Sequence, residues 1–419
     1  MNQNDRFQVL SDEAKKTLLD AAIPANTKKR NEWAMRVFAE WMGIKKKRWA
    51  EEGGLFVLKN YEEMSRGDLD FLLQDFLFSA RKENKEEYPP SSLRSIVSGI
   101  ISHFRNNFTR DWDFFKDTEF SKSRQVLDAK MRSLTRRGIG TMKRKAAPIS
   151  TEMETDMWSK GVLGSDTPTK LVHTVLYLIG IQFALRSRDE HRQLRFGMDS
   201  QLQLGCEDGI EFLSYREDCS KTRHGGIKDR FKEAKECIVY SNGTVGSDKD
   251  IVQLYKKYCS HRPTDGKSNA FYLKPKLCAT NDTWYCDQPM GVNTISKVVT
   301  NMAKLCGVMG HYTNHSLRRT AVSRLNQSGF GIEEVKKRTG HRTNEGVMSY
   351  DVSNKKQIAA QCAALYGIAN SEETPAPSTS NADLIQNAAV NMNIEGTSQS
   401  KGLFYGANLS NCTININFQ

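Results

Sequence analysis

Four groups suited to phosphodiester chemistry lie in a fixed order between positions 315 and 350: His315-Ser-Leu-Arg318, then Gly340-His341, then Met348-Ser349-Tyr350. His315 and Arg318 are three positions apart, so on a helix they share a face. Tyr350 follows His341 by nine residues. Arginine offers a planar, permanently charged fork that can grip two phosphate oxygens. Histidine can move a proton near neutral pH. Tyrosine can attack phosphorus and become a covalent ester. Each element is common by itself, and most tyrosines are merely packed; what points to chemistry is the ordered set.

The order and spacing resemble the C-terminal box of the tyrosine recombinases, the phage-integrase superfamily, which runs His-x-x-Arg, Gly-His, then the nucleophilic Tyr. The likeness is closest to the eukaryotic Crypton-type branch, transposon recombinases and the host proteins derived from them. A second stretch supports it. Ala184-Leu185-Arg186-Ser187-Arg188-Asp189-Glu190 resembles the family's early-arginine segment, Gly-Leu-Arg-x-x-Glu, with Ala184 in the glycine's place. Arg186 matches that arginine better than Arg188. The family also carries a lysine on a β-hairpin, which Lys221 in Ser220-Lys221-Thr222-Arg223-His224 matches best, with Lys228 as runner-up.

The resemblance implies roles. Tyr350 would attack the scissile phosphate, giving a 3′-phosphotyrosyl link and a free 5′ hydroxyl. Arg186 and Arg318 would hold the non-bridging oxygens. Lys221 would protonate the departing oxygen, His315 would assist proton removal from Tyr350, and His341 would hydrogen-bond the phosphate. No metal, cofactor or ATP is expected. The implied function is DNA integration or transposition; the alternatives are a domesticated DNA-binding or chromatin regulator without recombinase activity, and a type IB topoisomerase-like enzyme. The implied partners are double-stranded DNA and further copies of the chain, from dimer to tetramer, and no membrane.

The bulk numbers fit such a partner. Sixty-one Lys and Arg against 49 acids give a net charge of +12 and a pI near 9.1, which favours a polyanion. Nine cysteines are scattered without a C-x-x-C pair; that argues against a zinc finger and for reduced intracellular thiols. No Asp/Glu/His cluster stands at metal-ligand spacing. The first residues are polar, with no visible secretory signal. The longest apolar run, Leu171 to Leu185, is broken by His173 and Gln182 and is too short for a bilayer, so it reads as a buried core helix.

The elements that must position these groups can be read in order. The 419 residues leave room for two or three domains. The expected fold class is mainly α with a small β-sheet (α+β). Residues 1–145 read as a helical domain resembling the family's core-binding, DNA-clamping domain, 146–368 as the catalytic domain, and 369–419 as a flexible tail ending in a strand-like alternation. Thr27 is expected to cap a helix, Ser65 with Asp68 to open another, Ser91 or Ser92 a third after Pro89-Pro90, and 122–134 a shorter one. Strands are expected at 201–204, 211–213 and 238–240. Residues 259–291 read as irregular, and helices are expected at 293–306, 316–326, 332–338 and 354–366. Basic clusters at Lys45, Lys46, Lys47 and Arg48, at Arg136 and Arg137, and at Lys143, Arg144 and Lys145 are candidates for DNA contact. The last two read as a flexible strap, and any of the clusters would serve as a nuclear localisation signal.

Overall fold

The computed structural model describes residues 10–51, 59–142, 144–218, 226–229, 233–243, 249–279 and 282–350, without the side chains of Ser187, Arg188 and Lys228. Beyond Tyr350 a separate unit begins, in which Ile358, Cys362 and Leu365 are described, each helical. Lys221, Lys143, the expected tail strand and most of the expected 354–366 helix lie outside the described residues.

The chain is mainly α with small antiparallel sheets. The first half carries α1 (Asp12–Ala21), α2 (Ala25–Glu51), α3 (Arg66–Ser79), α4 (Pro90–Phe108) and α5 (Ser121–Arg136). A capping box of Ser65 and Asp68 starts α3, satisfying two otherwise orphaned backbone N–H groups. Two expected starts shift. Thr27 lies inside α2. Pro90 rather than a serine opens α4, because a first-turn N–H has no helical partner to lose and proline's φ is already helical. Phe38, Phe76, Phe104, Phe114 and Phe120 are each buried in this half's core. There α2 and α4 cross so closely that a Cβ on Gly99 would lie 2.5 Å from that of Ala34.

The first part of the expected strap, residues 137–141, is a packed turn, while Arg144 and Lys145 are exposed. Arg137 caps α5 and pairs with Glu87 at 3.2 Å. Ile139 packs on the first core, and a Cβ on Gly140 would meet Pro89 at 2.9 Å. The apolar Ile139 and the positive φ of Gly138 and Gly140 fold the segment back rather than leaving it extended.

The second half has its own core. It contains α6 (Thr151–Ser159), α7 (Pro168–Gln182), α8 (Ser187–Gln193), β1 (Leu202–Glu207), β2 (Ile210–Arg216), β3 (Glu236–Tyr240), α9 (Ile251–Ser260), β4 (Leu273–Pro275), β5 (Tyr285–Pro289), α10 (Val292–Leu305), α11 (Asn314–Gln327), α12 (Ile332–Thr339) and α13 (Asn344–Met348). Helix α7 is apolar on nearly every side, as a central helix must be; its residues from Leu171 to Ile181 are buried save His173. It packs against α9 and α11. Strands β1, β2 and β3 form an antiparallel sheet in that order. The stretch expected to be irregular instead holds the β4–β5 hairpin. Three prolines hid it, since Pro275 and Pro289 sit at strand ends, where the missing N–H is tolerated.

Candidate functional site

The site is built around two consecutive carbonyls at the end of α7. The helix closes in a Schellman turn: the Leu185 N–H donates to Gly180 O and the Ala184 N–H to Ile181 O, both at 3.1 Å. That turn needs a left-handed residue, normally glycine. Here Ala184 holds it at φ +45° while fully buried, a strained choice for an L-residue. The Ala184 carbonyl accepts Nη1 of Arg318 at 2.6 Å. The Phe183 carbonyl accepts Nζ of Lys235. The first belongs to the residue after the cap and the second to the cap itself, both at the negative end of the helix, where cations are favoured.

Arg318 is only 1% exposed, and its Nε and Nη2 make no hydrogen bond. Burial, and then Arg186, draw its guanidinium down to about 10, against the pull of Glu190 and Tyr350. It stays charged at neutral pH with donors to spare. Arg186 follows the turn directly. Its Nη1 donates to Glu190 Oε1 at 2.9 Å and lies 3.6 Å from Glu217 Oε1, while Nη2 donates to Gly340 O at 3.1 Å.

The two imidazoles flank the tyrosine. The ring of His315 lies 5.2 Å from that of Tyr350, and His341 lies 4.9 Å from it, centroid to centroid. His315 is placed by a capping box of Thr313 and Ser316 at the start of α11. Burial, and then Arg318, lower its pKa. Tyr350 rests on Val322, Val335 and Val347. Gly340, at φ +68°, ends α12 and turns the chain so that His341 faces inward.

The tautomer of His341 follows from its neighbours. Thr339 Oγ1 donates its one proton to the Val335 carbonyl at 2.5 Å. The 2.6 Å contact between Thr339 Oγ1 and His341 Nδ1 therefore takes its proton from the ring. That leaves a lone pair on Nε2, which is buried and unpartnered. Burial lowers His341 to about 3, helped by Arg318, Arg186 and Lys235. The neutral ring therefore offers this nitrogen as a hydrogen-bond acceptor; it can donate to a phosphate oxygen only when protonated, which a bound anion would favour.

Arg186, His315, Arg318, His341 and Tyr350, read from four separate stretches of sequence, thus meet in one pocket. Lys235 joins them, though nothing in the sequence reading singled it out. In Lys232-Glu-Ala-Lys235-Glu it looks like part of a solvated charge run. The usable signal was strand period: Lys235, just before β3, is in step with Cys237 and Val239 on the strand's inward face. A cavity of about 800 Å³ opens beside the pocket, lined by Lys235 and His341 together with the cations Arg216, Lys336, Lys337 and Arg342 and the carboxylates Glu217, Glu233 and Glu236. Of the basic candidates in the first half, Lys45 pairs with Asp75 at 2.5 Å, while Lys46, Lys47, Arg48, Arg136, Arg144 and Lys145 are exposed. Among the described residues no group of three or more His, Cys, Asp or Glu could hold a metal, and no helix is long and apolar enough to cross a membrane.

Residues 148–304 match the family model described as "Domain of unknown function (DUF3504)". The chain is 26% identical over 304 residues to the human "Uncharacterized protein KIAA1958", covering 68% of this chain and 39% of that protein. It is 21% identical over 251 residues to the mouse "Zinc finger MYM-type protein 2", covering 56% and 18%. The chain thus spans about two fifths or less of the length of these relatives. Among solved structures it is similar to the Tn1549 transposon integrase in complex with transposon right end DNA, at 14% identity and a TM-score of 0.42, covering 84% of this chain and 98% of that one. It is also similar to the XerH site-specific recombinase bound to palindromic difH, at 13% and 0.36, covering 72% and 79%.

Proposed function

We propose that the protein is a DNA strand-cleaving and -joining tyrosine recombinase, working in the nucleus on double-stranded DNA as a dimer or tetramer and serving integration or transposition. The single observation that carries the reading is the convergence of Arg186, Arg318, His315 and His341 on the ring of Tyr350.

The steps follow from these groups. The unpartnered donors of Arg318 and the fork of Arg186 grip the non-bridging oxygens of one phosphodiester and stabilise the charge that grows there. Tyr350 Oη attacks phosphorus while its proton passes to an adjacent imidazole, His315 by the family's assignment. The bond from phosphorus to the 5′ oxygen breaks, and that oxygen takes a proton from a lysine. The product is a 3′-phosphotyrosyl ester, reversed when another strand's 5′ hydroxyl attacks it. The ester keeps the energy of the original bond, so joining as written consumes no ATP.

The test is a covalent trap. With a nicked suicide duplex, the protein should form an SDS-resistant adduct that persists in EDTA. Tyr350→Phe should abolish the adduct and leave duplex affinity within about twofold. An adduct surviving that change overturns the assignment of the nucleophile. The second reading, a DNA-binding regulator that no longer cleaves, draws on the zinc-finger name carried by one group of relatives; duplex binding with no adduct in the unaltered protein would select it.

A further inference from the structure

Two buried cations, Arg318 and Lys235, and the half-buried Arg186 gather at this pocket, and the reading above employs the two arginines. Lys235 is 9% exposed. Its Nζ donates to Phe183 O, and Arg318 holds the very next carbonyl, that of Ala184. Its stem runs beneath Gly340, where a Cβ would meet Lys235 Cδ at 3.1 Å. Gly340 O in turn accepts Arg186. One side chain therefore touches both backbone turns that aim the two arginines and His341.

We propose that Lys235 is a positioning residue of the anion pocket: its ammonium group braces the α7 turn under Arg318 and supplies the pocket's surplus positive charge. Among the described residues, the cations Arg186, Arg318 and Lys235 face the carboxylates Glu190 and Glu217. The excess is one positive charge, the complement of one phosphodiester. Without Lys235 these two pairs cancel, and the orphan donors of Arg318 face an incoming anion with less positive charge behind them. This inference rests on the anion-binding part of the proposed function and does not require that the protein cleaves DNA.

The surplus is pH-dependent, with a sign the neighbours decide. Burial draws Lys235 down to about 8, Arg318 acting in the same direction and Cys237, Glu190 and Glu217 opposing. The groups facing it from other elements are Tyr215 of β2, Cys237 of β3, Arg318 of α11, Glu190 of α8, Glu217 after β2 and His341 after α12, and the cavity it lines also carries Arg216, Glu233, Glu236, Lys336, Lys337 and Arg342. Burial raises the Tyr215 and Cys237 pKa values and lowers that of His341, so all three are neutral from pH 7 to 9; Arg318 keeps its charge to about 10. Lys235 is the group whose charge changes in that window. The pocket should attract anions more strongly below pH 8 and less as pH rises through it.

Sulfate keeps its charge across this range and serves as the probe. Binding to the native state raises the melting temperature by mass action. The full chain is melted in sodium sulfate and in sodium chloride of equal ionic strength, at pH 7 and pH 9. Lys235→Gln, which keeps a donor for Phe183 O, and Lys235→Met, which keeps the stem, are melted beside it, so that general salt effects cancel. The expected result is a sulfate-induced rise at pH 7 that shrinks by at least half at pH 9 in the unaltered protein, with the smaller rise at both pH values in the variants. A rise in the unaltered protein that is the same at both pH values overturns the proposal, even if neither variant folds. So does a variant that keeps the pH-dependent difference. Because the readout is anion binding, absence of a Tyr350 adduct would refute the recombinase reading without touching this result.

Discussion

At the scale of single residues, the pocket's chemistry turns on which atoms still hold a proton. His341 is the clearest case. Its Nδ1–H is held by Thr339, whose own proton is spent on Val335, so Nε2 faces the pocket as an acceptor. Thr339→Val keeps the shape and removes the acceptor. It should release the ring to the other tautomer, visible as a shift in its ¹⁵N resonances. Adduct formation should then fall about tenfold, equivalent to about 1.4 kcal/mol in the barrier. An unchanged rate would give His341 no tautomer-dependent part. His315 is differently placed, at the first turn of α11, where the positive end of the helix adds to burial and to Arg318 in keeping its ring neutral. Both rings are thus held toward the neutral form.

At the scale of elements, what matters is how closely α7 and α11 approach. Arg318 reaches Ala184 O only because the two helices touch at Gly180, where a Cβ would lie 2.3 Å from Leu317 Cδ1 and 3.1 Å from Leu317 Cβ. Leu317 is fully buried and cannot swing aside. Gly180→Ala should therefore destabilise by about 1–3 kcal/mol through overpacking, despite alanine's better helix propensity of about 1 kcal/mol. Chemical denaturation measures the stability, and loss of adduct formation in the folded fraction would show that the arginine has moved. Gain of stability would mean that the helices have room to part. The same logic explains Ala184. Its left-handed backbone is tolerated because its neighbours on both sides, Phe183 and Leu185, are fully buried and fix the turn.

For the whole molecule, the two halves carry separate apolar cores and divide the proposed work. The second half holds the reactive pocket. The first offers exposed cations at the end of α2, where Lys46, Lys47 and Arg48 stand clear while Lys45 is engaged with Asp75. Phosphate contacts of this kind add affinity without sequence preference. Replacing Lys46, Lys47 and Arg48 by Gln should weaken duplex binding uniformly across sequences. It should also reduce the slope of log affinity against log salt by about one per lost contact. A fluorescence-anisotropy salt series measures both, and an unchanged slope would remove α2 from the DNA-facing surface.

The sequence by itself pointed to the residues that gather around Tyr350 and to most of the helices. His315, Arg318, His341 and Tyr350 were legible because short-range spacing and residue chemistry carry that information. The Ser65 capping box and the buried α7 were legible because caps and apolar runs are local. Tertiary structure alone decided the rest. The bond from Arg318 to Ala184 spans 134 residues, and no local pattern encodes such a meeting. Lys235 looked like one more surface charge, because burial of a lysine depends on the helix end brought against it. The 136–145 link read as a strap because its charges were visible and its seat against Pro89 and Pro90 was not. Residue types and spacing announce which chemistry is available; only packing decides which donors stay unpaired, which protons are already committed, and which charge is left over for a ligand.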